Sequence, residues 1–289
     1  MHYIQGNMTQ QIIGRIAGRI EFLDLPDPDQ FVLPGIRWGS FEQPLTPAFW
    51  ASQAWLNGQP DRESFRLGAE LKEEVVYCLL GGHGAPAEVG LAASKRVCAA
   101  LSANGILSLR EIETLLLEPL KIGQRTVRYR FARQRARYLA GTLEMLATIN
   151  QEESDDVCFR NALLALPGIG PKTASWIVRN HRGSDAVAIL DVHIVRACIA
   201  MGIFPQNANL ARDYTSLERA FLEFCQSTCT GAAVMDALMW STMRVLSRSL
   251  LQLLVDQDGT LKQPPGHNAA GRQRCQAQTA VVTKMKLRA

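Results

Sequence analysis

Lys172 and Asp191, nineteen residues apart in a chain of 289, are the pair of side chains best suited to covalent chemistry. Lys172 follows the run Leu166-Pro167-Gly168-Ile169-Gly170-Pro171. Proline is at home in the first helical position, where its missing N–H costs nothing, so Lys172 is predicted to lie in the first turn of a helix. The positive end of the helix dipole and partial burial both favour a neutral amine there, which can act as a nucleophile and form a Schiff base. Asp191 precedes an apolar-spaced run and can cap its helix. Taken singly, these are an ordinary first-turn lysine and an ordinary capping aspartate; the chemistry comes from the pair. Gly168 and Gly170 leave bare backbone before the second helix, where amide N–H groups can meet a phosphate directly.

The elements that must position this pair read as helices. Apolar residues at i, i+3 and i+4 mark candidate helices over 46–57, 65–80, 87–104, 109–117 and 129–149, then 156–165, 171–181, 192–201, 213–225 and 232–255. Glycine and proline fill the gaps, as in Gly81-Gly82-His83-Gly84-Ala85-Pro86. The first 45 residues are less regular; 20–23 and 31–33 could be short strands, too few for a sheet domain. The expected fold class is therefore all-α with an irregular N-terminal arm.

Composition bounds the function. With 47% hydrophobic and 20% charged residues the chain is an ordinary globular protein. No secretory signal is visible at the start, and the richest late apolar run, 245–255, is interrupted by polar residues and too short to span a bilayer. Seven cysteines without a paired rhythm suit a reducing compartment, so a cytoplasmic location is expected. Cys225 and Cys229 lie close together, but only Cys275 follows, which leaves a metal or iron–sulfur quartet incomplete. The net charge of +4 is concentrated in two blocks without acids. The first holds Lys121, Arg125, Arg128, Arg130, Arg133, Arg135 and Arg137; the second is the tail after Asp258. Such blocks can contact phosphates or form a solvated face and a loose tail.

The run Leu166-Pro-Gly-Ile-Gly-Pro-Lys-Thr-Ala, followed by Leu190-Asp-Val-His, resembles the helix-hairpin-helix (HhH-GPD) DNA glycosylase superfamily, and most of all its 8-oxoguanine DNA glycosylase/lyase branch. The motifs cover about thirty residues, with a weaker helical likeness over 65–250. The resemblance implies a two-subdomain helical fold: an N-terminal arm over 1–60, a glycosylase domain over 61–255 with its hairpin at 155–182, and a basic tail over 256–289. It gives Lys172 the role of nucleophile at a sugar C1′. It likewise implies that Asp191 helps deprotonate that lysine and stabilises the positive sugar as the base leaves.

By the same resemblance His193 contacts the DNA backbone, along with Gly168 and Gly170. The hairpin carbonyls of Leu164, Leu166 and Ile169 could hold a monovalent or divalent cation, with no other cofactor expected. A wedge must fill the hole left by a flipped base. His83, between two glycines, occupies the place from which the superfamily supplies it, where relatives often carry Gln or Asn. Asp236 and Trp240 stand at i and i+4 on one helix face, where the 8-oxoguanine branch reads the base with Gln and Phe. A carboxylate at 236 suits guanine N1–H and N2–H2, but equally an amino group of cytosine or adenine. A core Trp240 with a salt-bridged Asp236 is the plainer reading.

The expected function is thus a bifunctional glycosylase and AP lyase, a monomer acting on oxidised guanine in double-stranded DNA. Two alternatives stay open. One keeps the mechanism but takes an oxidised pyrimidine or a bulky modified base of foreign DNA; the other is a non-catalytic DNA-binding module.

Overall fold

The computed structural model describes residues 9–58, 62–82, 84–256 and 259–262. His83 and the tail beyond residue 262, Cys275 included, lie outside the described residues.

The described residues open with two antiparallel hairpins. The first pairs β1 (Gln10–Ile16) with β2 (Arg19–Leu25), and the second pairs β3 (Phe31–Leu33) with β4 (Ile36–Arg37). Ala17 and Gly18 both take positive φ at the first turn, the geometry that a tight two-residue hairpin needs. Ala-Gly is a weak signal for that turn, which is why β1 is absent from the sequence-based elements. Gly14 lets the hairpin close on the next helix, because a Cβ there would stand 2.6 Å from the Trp55 ring.

Helix α1 (Pro47–Leu56) starts on a Thr46 cap and carries the fully buried Trp50. A short 3-10 turn (Arg62–Phe65) leads to α2 (Leu71–Leu80), so the predicted helix over 65–80 begins later than expected. Next come α3 (Ala87–Asn104) and α4 (Leu109–Leu117), the latter begun by a Ser108–Glu111 capping box. A third hairpin, β5 (Leu120–Ile122) with β6 (Arg125–Val127), turns at Gly123-Gln124 and was not foreseen. Its strands are too short to show an alternation.

Helices α5 (Ala132–Met145), α6 (Asp156–Leu163), α7 (Pro171–Arg182) and α8 (Val192–Met201) follow, with a 3-10 turn (Leu146–Thr148) after α5. The last among the described residues are α9 (Leu210–Ser227), α10 (Ala232–Val245) and α11 (Arg248–Leu254). The predicted helix over 232–255 therefore breaks at Leu246-Ser247, where the Ser247 hydroxyl caps a new start.

Two large cores organise the helices. One is built from α2 to α7, around Val75, Leu79, Leu139, Phe159 and Ile177. The other joins α8, α9 and α10, around Phe204, Phe221, Phe224 and Met239, and takes in Leu45 and Trp50 from the N-terminal part. A small third cluster, including Ile12, Leu25 and Trp38, seals the first hairpin onto α1. The N-terminal segment is thus more regular than an arm and contributes to a core. The connection from α7 to α8 crosses between the two large cores, with Val187 in the first and Ala188 and Leu190 in the second.

Candidate active site

The hairpin between α6 and α7 is held from behind by α5. The Thr142 hydroxyl donates to the Pro167 carbonyl at 2.8 Å. Gly168 has φ +76 and presses so closely on Tyr138 that a Cβ would lie 2.5 Å from its ring. Gly168 and Gly170 are exposed, and within the described residues their amides find no acceptor. Bare backbone therefore faces outward just ahead of the N-terminus of α7.

Lys172 follows in the first turn of α7, half-buried, with no hydrogen bond or ion pair to its ammonium among the described residues. It lies close enough to feel the buried Cys78 of α2, whose thiol is pushed well up by burial and by Glu74 and opposed by Arg179 and Lys172. Glu74 is itself buried and occupied. Its carboxylate accepts the Leu67 and Gly68 amides at 2.9 and 3.0 Å and the Asn180 side chain at 2.7 Å.

Asp191 caps α8 as expected. One oxygen, Oδ1, accepts both the His193 amide at 2.7 Å and the Ile194 amide at 3.1 Å. Oδ2 has no partner among the described residues, and the side chain is only half-buried. One oxygen thus fixes the carboxylate while the other stays available. The irregular chain before it is bound at each of residues 188–190. The Ala188 amide donates to Glu218 at 2.9 Å, and its carbonyl accepts from the Tyr214 hydroxyl at 2.7 Å. The Ile189 amide donates to Asp236 at 3.1 Å and the Leu190 amide to the Tyr214 oxygen at 3.3 Å.

The residues suggested for base recognition differ in burial and in role. Asp236 is not a free acid on a pocket wall. It is buried at 2% exposure, with Oδ1 on the Arg179 guanidinium at 2.6 Å and Oδ2 on the Ile189 amide. Burial pushes its carboxyl up to about 6, against the pull of Arg179 and the Ile189 amide, while the nearby Asp191 adds to the rise. With both oxygens occupied inside the protein, it has none to offer a base, and the salt-bridged reading describes it. Trp240 stands on the surface at 38% exposure, its ring covered by the Arg244 guanidinium at 4.6 Å. His193 is half-buried in the first turn of α8, with Nδ1 buried and unpartnered among the described residues.

Trp176 was missed by sequence reasoning. It sits one turn after Lys172 on the same face of α7, half-buried, and its ring edge would be 3.2 Å from a Cβ on Gly81. The i+4 spacing from Lys172 was the signal available. The glycine loop itself is pinned from below. The Tyr129 hydroxyl donates to the Leu80 carbonyl at 2.6 Å, and the Phe131 ring meets Gly84. Arg128 and Arg130, which flank Tyr129, are exposed and form no ion pair among the described residues. Arg125 and Arg133 of the same basic block reach Glu88 at 3.5 Å and Glu113 at 3.2 Å.

No group of His, Cys, Asp or Glu among the described residues could hold a metal ion, and no described helix is long and apolar enough to cross a membrane. In the hairpin, the Leu166 carbonyl accepts the Ile169 amide at 3.2 Å, whereas those of Leu164 and Ile169 take no backbone partner among the described residues.

The chain is similar to solved structures of DNA glycosylases. With the 8-oxoguanine DNA glycosylase of Methanocaldococcus jannaschii it shares 24% identity at a TM-score of 0.48, over 64% of this chain and 79% of that one. The corresponding enzyme of Thermotoga maritima gives 24% and 0.48, over 66% and 88%. An endonuclease III trapped covalently on DNA gives 15% and 0.46, over 65% and 82%. The family model described as 8-oxoguanine DNA glycosylase matches residues 63–230, which include the hairpin, Lys172, Asp191 and the clamped segment between them. The protein accordingly belongs to the 8-oxoguanine DNA glycosylase family of the helix-hairpin-helix superfamily.

Proposed function

We propose that this protein excises oxidised guanine from duplex DNA and then cleaves the strand by β-elimination. The observation that carries this reading is the pair of open groups at two helix starts: the Lys172 amine and the Asp191 Oδ2, each without an internal partner among the described residues. In this reading the lesion nucleotide is flipped toward α7 and α8. Lys172, as the neutral amine, attacks C1′ while the C1′–N bond breaks, its electron pair leaving with the base, which takes up a proton. Asp191 accepts the proton lost from the lysine nitrogen and stabilises the positive charge on the sugar. Ring opening yields the Schiff base. Loss of a C2′ proton then expels the 3′ phosphate.

Phosphates are met by the Gly168 and Gly170 amides and by His193, and the DNA flank by Arg128 and Arg130. Trp176 offers an aromatic surface beside Lys172 on which a base can stack. A cation on the hairpin would use the Leu164, Leu166 and Ile169 carbonyls, whose lone pairs are at least partly open. It would add positive charge facing a phosphate, with water completing its shell.

The test is borohydride trapping on duplexes containing 8-oxoguanine. The parent protein is expected to give a covalent adduct and Lys172→Gln none; an adduct with Lys172→Gln would remove the nucleophile assignment. The internal engagement of Asp236 favours one second reading, the same mechanism on another modified base, because the acid suited to guanine N1–H and N2–H2 is unavailable. A lesion panel separates the two. Selective release of 8-oxoguanine supports the first, and indifference to it the second.

A further inference from the structure

The two reacting groups stand on different elements: Lys172 on α7, whose core is shared with α2 to α6, and Asp191 at the head of α8, which belongs to the other core. Their separation must be set by whatever joins those elements. Two buried carboxylates do so, and each binds both sides.

Glu218 of α9 accepts the Ser175 hydroxyl of α7 at 3.1 Å and the Ala188 amide at 2.9 Å on the same oxygen, Oε1. Its other oxygen takes the Arg160 guanidinium of α6 at 2.9 Å. Asp236 of α10 takes the Arg179 guanidinium of α7 on Oδ1 at 2.6 Å and the Ile189 amide on Oδ2 at 3.1 Å. Ser175 and Arg179 lie one turn apart on the helix that carries Lys172, and Ala188 and Ile189 lead directly into Asp191. Between the two carboxylates, the Tyr214 hydroxyl closes the clamp on the Ala188 carbonyl and the Leu190 amide.

We propose that Glu218 and Asp236, with Tyr214, are positioning residues that fix the distance and orientation of the Asp191 carboxylate relative to the Lys172 amine. A plain structural bridge would need only the ion pairs. Here every free backbone amide from 188 to 190 is consumed as well, in a segment with no helix or strand to hold it. That makes its path rigid up to the residue before the capping aspartate. Misplacing reacting groups by about 1 Å costs on the order of 100-fold in rate, far more than the loss of one hydrogen bond costs in stability. The proposal rests on the functional reading above, since it concerns the same two reacting groups.

The experiment compares the parent protein with Tyr214→Phe and Asp236→Asn by three measurements: single-turnover excision at saturating enzyme, duplex Kd, and hydrogen exchange of the amides of residues 188–190. Tyr214→Phe keeps the ring in the core, so it folds where a larger change could fail. Faster exchange at 188–190, a single-turnover rate lowered about 10- to 100-fold and an unchanged Kd are expected in both. Exchange that stays as slow as in the parent would overturn the clamp. So would fast exchange with the parental rate, because the segment would then position nothing. A parent protein that excises no base overturns the functional reading instead, and amide exchange alone then decides whether the three side chains hold the segment.

Discussion

At the scale of the residue, the site depends on two groups that differ in how the protein uses them. Asp191 does two jobs with two oxygens, capping with one and leaving the other open. Asparagine caps a helix about as well as aspartate, so Asp191→Asn is expected to melt within a few degrees of the parent. If the transition state uses the carboxylate charge as proposed, its excision rate should fall by about 100-fold or more. Melting by circular dichroism beside single-turnover kinetics checks both halves. Trp176 and Trp240 make a second contrast. Trp176 shares a helix face with Lys172, and Trp240 is covered by Arg244 on the surface. If Trp176 stacks on the flipped base, Trp176→Ala loses affinity for lesion DNA by about 1–3 kcal/mol, while Trp240→Ala loses less. Equal losses in a lesion-duplex titration would count against that assignment.

At the scale of the element, the hairpin shows how a loop can be both bare and rigid. Gly168 needs a left-handed conformation and space that Tyr138 already occupies. Gly168→Ala therefore costs about 1–2 kcal/mol in backbone conformation before any clash, and should weaken DNA binding together with thermal stability. The unexpected β5–β6 hairpin leads into Arg128, Tyr129 and Arg130, and the Tyr129 hydroxyl bonds the carbonyl just ahead of the glycine loop. Two exposed arginines thereby flank the tyrosine that bonds Leu80. Each of Arg128→Ala and Arg130→Ala is expected to reduce the slope of log Kd against log salt by about 1, alike for damaged and undamaged duplex. A slope that does not move would take these arginines off the DNA.

At the scale of the whole molecule, the join between the two large cores is polar and buried, and a pH dependence of activity is expected from it. Asp236 faces Arg179 from α7, Asp191 at the head of α8 and Cys225 from α9. Desolvation is the largest influence on it and raises its folded value to about 6, above the ordinary carboxyl value of 3.8. The folded protein thus holds this proton more tightly than the unfolded chain. What the group adds to stability is full below the unfolded value and is lost as pH rises through about 6. Function runs the other way: below about pH 6 the neutral acid loses the charge on its bond to Arg179 and holds the Ile189 amide less firmly. The excision rate is expected to fall on the acid side of that value, and Asp236→Asn should flatten this limb; a limb that persists unchanged in the variant would assign it to another group.

The sequence alone showed the local features from which the chemistry of the centre is proposed. A hairpin glycine pair, a first-turn lysine and a capping aspartate are local features, each set by a few neighbouring residues, so spacing suffices to see them. Most helices were legible for the same reason, because an apolar face repeats along a single segment. The tertiary structure alone decided what Asp236 is for, since its partners Arg179 and Ile189 are 57 and 47 residues away and no local pattern joins them. It also decided the β1–β2 hairpin, which lacks a strong turn signal and packs on α1, and the β5–β6 hairpin, whose strands are only three residues long. The clamp on residues 188–190 belongs to the same class. Backbone amides without helix or strand must find acceptors wherever the fold brings them, and here it brings them from α9 and α10.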